Sequence, residues 1–142
     1  MEIPYQSIGE GIRDVLSAAL RPQYLGGIKI EVNPPEVGLS NTPEIGIYLA
    51  REEPNEVEIG SADPYETSLR WLILCGVTKE TMQEANKAIY DLANRVKVAL
   101  QADRSLGGTV ETSTRGEIEF ESVKNAGFWS AANITLNARL MA

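Results

Sequence analysis

The residues able to do chemistry in this chain are carboxylates, and they fall in two groups. Glu52, Glu53, Glu56 and Glu58 crowd a polar stretch that begins at Arg51 and runs to Pro64. Glu117, Glu119 and Glu121 recur at every second residue, a spacing that aims successive side chains at one face of a strand. Two carboxylates facing a cleft can hydrolyse a glycoside, but neighbours on one strand rarely span a substrate. The second group therefore reads as an electrostatic lining or a solvated outer face. The first could collect calcium but lacks the Asp/Asn spacing of an EF-hand loop, so it reads as a solvated acidic segment.

The composition removes most other catalytic apparatus. The chain has no histidine and a single cysteine, Cys75. Ser-His-Asp and Cys-His nucleophiles, His-based metal sites and paired-cysteine zinc or redox motifs are all excluded. Cys75 lies in an apolar run and is expected to be a buried, inert thiol. Gly107-Gly108 follows a helical pattern and lacks a P-loop lysine, which makes it a helix exit and not a phosphate cradle. Trp71 is expected in the core. Phe128-Trp129, placed after a turn, is a candidate interface anchor, because aromatic residues concentrate at binding hot spots. No catalytic residue, metal or cofactor is expected.

With 142 residues, 43% hydrophobic and 23% charged, the chain reads as one soluble domain spanning 1–142. A formal charge of -7 without a basic cluster argues against a protein that grips nucleic acid. It leaves room for a surface past which DNA slides. No apolar run approaches the ~20 residues of a membrane helix. Met1-Glu2-Ile3-Pro4-Tyr5 has neither the basic nor the apolar region of a secretory signal, and the cysteine usage points to a reducing cytoplasm.

The elements that would position these residues follow from periodicity. Ser7-Ile8-Gly9-Glu10 fits a capping box opening a helix with Ile8, Ile12, Val15, Leu16 and Ala19 on one face, ended by Arg21-Pro22. Gly9 and Gly11 weaken its first turn. Ile28–Val32 and Ile45–Leu49 alternate and read as neighbouring strands. Residues 51–64 form a long acidic loop or hairpin, with an optional strand at Val57-Glu58-Ile59. Leu69 to Cys75 is apolar on both faces and reads as a central strand covered on both sides. Thr78 is the expected N-cap, and Glu80 a favourable first-turn acid, of a helix over about 80–101, roughly 33 Å long. Met82, Ala85, Ile89, Leu92, Val96 and Ala99 share one of its faces.

Two strands close the pattern. Val110 to Val123 carries Ile118 and Phe120 opposite the three glutamates, and Lys124-Asn125-Ala126-Gly127 reads as a turn. The second strand points Ala132, Ile134, Leu136, Ala138 and Leu140 inward. The order α-β-β-(β)-β-α-β-β is that of an α+β domain, a mainly antiparallel sheet with two helices packed on it.

The long helix running into Asp103-Arg104-Ser105-Leu106-Gly107-Gly108-Thr109-Val110, followed by a terminal hairpin, resembles the tail terminator (tail completion) proteins of long-tailed bacteriophages. The strand entered through Pro43-Glu44-Ile45-Gly46-Ile47 agrees with that family. The resemblance implies a structural protein and not an enzyme: a hexameric ring that caps the head-proximal end of the tail tube, stops its polymerisation and offers a surface for head joining. Its partners would be further copies of itself, the tail tube protein and a head-completion or stopper protein. DNA would pass without specific binding, and no membrane is involved. Such a protein belongs to the tail–neck region of the virion and, during assembly, to the host cytoplasm.

On this reading Glu117, Glu119 and Glu121 line the lumen of a ring whose six copies total about -42. Arg51, Glu52, Glu53, Glu56 and Glu58 form a loop that docks on the tube or a neighbouring subunit, and Phe128 and Trp129 anchor an interface. Asp103, Leu106, Gly107 and Gly108 are the family turn. The competing readings are a tail tube or head–tail stopper subunit and, from a different class, a small-ligand binding domain with an aromatic pocket near Trp129.

Overall fold

The computed structural model describes residues 2–35, 42–56, 65–124 and 128–141. Helix α1 (Tyr5–Leu20) leads through a short 3-10 turn at Arg21–Gln23 into strand β1 (Lys29–Val32). Strands β2 (Glu44–Glu56) and β3 (Tyr65–Lys79) precede helix α2 (Met82–Ala102), and β4 (Thr112–Lys124) and β5 (Phe128–Met141) complete the order. Among the described residues the five strands make one sheet, β1-β2-β3-β5-β4, in which only β1 and β2 pair in parallel. This is the α+β architecture expected of the pattern. The optional strand at 57–59 and the turn residues 125–127 lie outside the described residues.

Central position and one-sided burial explain β3. Leu69, Trp71, Ile73, Cys75 and Val77 are buried on one face, level with Ile45 and Ile47 of β2 and with Ala132, Ile134, Leu136 and Ala138 of β5. Both helices cover this face. Ile8, Ile12, Leu16 and Leu20, spaced by four, are fully buried from α1, and Ile89, Leu92, Val96 and Leu100 descend from α2. Each such side chain stabilises the fold by about 1.5–3 kcal/mol through burial. The expectation that β3 is covered on both sides fails: Leu72 and Leu74 on its other face are only half-buried, because no helix among the described residues lies there.

Two β-bulges change which residues face the helices. In β2 the register jumps between Leu49 and Arg51, so Leu49 faces the helix side while Arg51 pairs with Arg70 on the uncovered side. In β4 it jumps between Arg115 and Ile118, so both of these residues share the helix face. An extra residue in one strand reverses the alternation beyond it, which is how both strands exchange polar and apolar faces along their length.

The helix starts also differ from expectation. Helix α1 begins at Tyr5 behind Pro4 with no side-chain cap, so Ser7 and Glu10 lie inside it and form no capping box. Here the fixed φ of proline supplies the helix start, and packing supplies the stability. Strand β3 extends through Thr78, which pairs with Trp129, and so moves the N-cap of α2 to Thr81. Thr81 Oγ1 accepts from the Glu84 amide at 3.2 Å. The start of α2 is also tied to the sheet: Ser122 Oγ and Ser130 Oγ donate to Asn86 Oδ1 at 2.8 and 2.6 Å.

Thr81→Ala is expected to lower unfolding stability by about 1 kcal/mol in urea denaturation, whereas Ser7→Ala stays within about 0.5 kcal/mol. Equal losses at the two positions would contradict this capping assignment.

Candidate functional site

Helix α2 ends on a turn that one carboxylate organises. Asp103 Oδ1 accepts from the Ser105 amide (3.1 Å) and hydroxyl (2.6 Å), and Oδ2 accepts from the Gly107 amide (3.1 Å). Ser105 Oγ in turn accepts from the Gly108 amide at 3.0 Å. The Ser105 hydroxyl, followed by the Gly107 amide, holds the Asp103 carboxyl below its ordinary pKa. Gly107 and Gly108 take positive φ of 73° and 82°, as a helix exit requires. Leu106 also has a positive φ, 52°, an unfavourable conformation for a branched side chain. The strain is offset because that conformation drives Leu106 into the core, where it is fully buried.

The same turn seats α1. A Cβ on Gly11 would lie 2.4 Å from the Leu106 carbonyl oxygen, so only glycine lets the helix approach this closely. The four turn residues Asp103, Leu106, Gly107 and Gly108 thus form a structural joint between α1, α2 and β4. Ser113 Oγ of β4 donates back to the Arg104 carbonyl at 2.8 Å.

The uncovered sheet face carries two arginines and a glutamate toward one end and two glutamates toward the other. Arg51, Glu53, Ser68, Arg70 and Asn137 line one shallow depression at the base of the β2–β3 arm, the paired segment that runs from Arg51 and Arg70 to Glu56 and Tyr65. The Arg51 guanidinium pairs with Glu53 at 2.7 Å. Glu119 and Glu121 stand level with Asn133 and Ala131 on the same face, while Glu117 falls within the β4 bulge. From Arg70, opposite Asn137, to Glu121, opposite Ala131, is six residues of β5, roughly 20 Å.

The remaining candidates are dispersed. Glu52 is on the helix side, where it accepts from the Tyr5 hydroxyl at 2.6 Å and so ties the arm to the start of α1. Glu56 ends β2, and Glu58 lies outside the described residues. Phe128 and Trp129 are consecutive on β5 and therefore point to opposite faces, so the two rings are not presented together. Trp129 Nε1, on the uncovered face, is shielded from solvent and has no hydrogen-bond partner among the described residues.

Three features escaped the periodicity argument. Arg70 hides in an apolar run but faces outward beside Arg51. A cavity of about 190 Å³ opens between the end of α2 and β4, with Leu100 and Leu136 among its apolar lining and Arg104 and Arg115 among its polar lining. Beside it, Tyr90 of α2 and Phe120 of β4 meet edge-to-face at 5.3 Å, each 51% exposed. Gly116 inside a strand pattern was the available signal for the bulge that builds this flank.

Complete burial pushes the Cys75 thiol up to about 12, which leaves it protonated and unreactive at neutral pH. No group of three acidic or sulfur ligands is close enough for a metal among the described residues.

Asp103→Ala is expected to destabilise the protein, with a sign set by linkage. A carboxyl whose folded pKa is depressed stabilises the fold above its unfolded pKa, and that contribution disappears as pH falls through the folded value. The stability gap between wild type and D103A, measured by denaturation, should be constant near neutrality and shrink below about pH 4. Gly11→Ala should cost about 1–3 kcal/mol at any pH, because backbone must move to admit the methyl group.

No family model matches the sequence, and no curated protein matches it.

Proposed function

We propose that this chain is a structural ring subunit, a tail terminator of a long-tailed phage. In that role it caps the head-proximal end of the tail tube, stops its growth and provides the surface for head joining. The observation that carries the reading is the uncovered sheet face, with Arg51 and Arg70 toward one end and Glu119 and Glu121 roughly 13 and 20 Å away along the strands. A ring built head-to-tail needs two different, complementary patches on each subunit. Arg70 beside the Arg51–Glu53 pair and the two glutamates farther along meet that need, because the arginine end of one copy can contact the acidic end of the next.

The Asp103 to Gly108 turn adds support, since it is the segment of closest resemblance to the tail terminators and here locks both helices to the sheet. Glu119 and Glu121, if turned to the lumen, would repel passing DNA and keep it from sticking. The β2–β3 arm, tied to α1 through Tyr5 and Glu52, would reach the tube or the neighbouring subunit.

The decisive experiment inactivates the gene in its phage and images the lysate by electron microscopy. Overlong tubes lying apart from filled heads are expected; tails of normal length would overturn the reading. In vitro, the purified chain should form closed rings and no tubes, and Arg70→Glu should shift it toward monomer in size-exclusion chromatography, more so at low ionic strength.

A further inference from the structure

Three observations converge on the flank where α2 overhangs β4. Strand β4 is terminal in the sheet order, and its 13 residues present an outer edge with no strand beside it among the described residues. Midway along that edge the half-exposed Tyr90–Phe120 pair forms an apolar shelf on the helix side. Toward the end of α2 the 190 Å³ cavity combines an apolar floor, Leu100 and Leu136, with the guanidinium-bearing Arg104 and Arg115. The shelf and the cavity lie on the same side of this edge, because the bulge before Ile118 returns both Arg115 and Phe120 to the helix face.

The chemistry of each part specifies what it would take. An unpaired strand edge offers backbone amides and carbonyls to an extended chain. The shelf fits an aromatic or branched apolar side chain. The cavity fits a glutamate, whose methylenes would lie on the two leucines while its carboxylate meets the arginines.

Register sets the spacing. Arg115 stands opposite Leu136 and Phe120 opposite Ala132, four residues of β5 or roughly 13 Å. A strand that pairs across the β4 bulge as β5 does reaches both with side chains four residues apart, an even interval that keeps them on one face.

We propose that the outer edge of β4 receives an extended segment of another protein as an added strand, seating an apolar side chain on Tyr90 and Phe120 and a glutamate four residues away between Arg104 and Arg115. Local charge complementarity selects the acidic residue, against the net negative charge of the whole chain. The assignment does not depend on the ring reading.

The test uses two fluorescent, end-capped nine-residue peptides of valine and threonine, one with Phe-x-x-x-Glu and one with the reverse order. Fluorescence anisotropy should show saturable binding of at least one, and the order that binds reports the strand direction. Replacing the peptide glutamate by glutamine, or using the Arg104→Gln/Arg115→Gln protein, should weaken binding about tenfold, and Phe120→Ser likewise. These substitutions are at exposed positions, and an unchanged near-UV circular dichroism spectrum verifies the fold. Methylating alternate backbone nitrogens of the peptide should abolish binding in one phase and preserve it in the other, since only every second amide meets β4.

No saturation by either peptide at about 1 mM overturns the proposal. So does equal binding by the glutamine peptide, or indifference to both methylation phases. Concentration-dependent self-association that Phe120→Ser removes would assign the flank to a second copy and overturn it as well.

Discussion

The Asp103 carboxylate accepts hydrogen bonds from the Ser105 amide, the Ser105 hydroxyl and the Gly107 amide, and the helical layer depends on that small knot. The bonds turn the chain tightly enough to push Leu106 into the core at an unfavourable φ. They also fix the Leu106 carbonyl where α1 crosses, and the absent side chain of Gly11 admits it. The end of α2 and the middle of α1 are therefore joined to β4 through this turn, while Asn86 and Tyr5 tie the starts of the two helices to the sheet. Placing the charge at a helix C-terminus opposes the helix dipole, and the three donors outweigh that cost.

The sheet, by contrast, is organised by parity. A strand with one buried face would ordinarily carry its polar residues on the other face from end to end. The bulges in β2 and β4 break this rule on either side of the uninterrupted β3–β5 pair. Arg51 is thereby turned outward beside Arg70, and Arg115 inward beside Leu136. One device thus produces both the segregated charge of the open face and the mixed apolar and cationic flank under α2.

Long periodic segments were legible in the sequence because burial enforces their spacing. Helix α2, the inward set of β5 and the buried Trp71 and Cys75 all follow from it. The parallel partnership of β1 with β2 was not legible, since nothing local specifies the direction in which two short apolar strands meet. Thr78 has the residue type of a cap, but its pairing with Trp129, a long-range event, extends the strand and displaces the cap to Thr81. The apolar run 69–75 concealed that only one face is covered: Leu72 and Leu74 are apolar without being enclosed. The Asp103 turn was recognisable as a helix exit, but its grip on α1 through Gly11 joins residues about ninety positions apart.

The central pairing of β3 with β5 has a consequence for how the molecule is made. Strands β2 and β3 form one hairpin-like pair and β4 and β5 another, each between neighbours in the chain. Their union joins residues 66–79 to residues 128–141. A nascent chain emerging from the ribosome can close the first pair early, but must hold the edge of β3 and part of the apolar stripe of α2 unmatched until β5 has been synthesised. Contacts of such separation slow folding and lengthen the exposure of aggregation-prone edges. The sheet is completed last along its middle, so the most deeply buried seam of the native protein is also the most vulnerable during its birth.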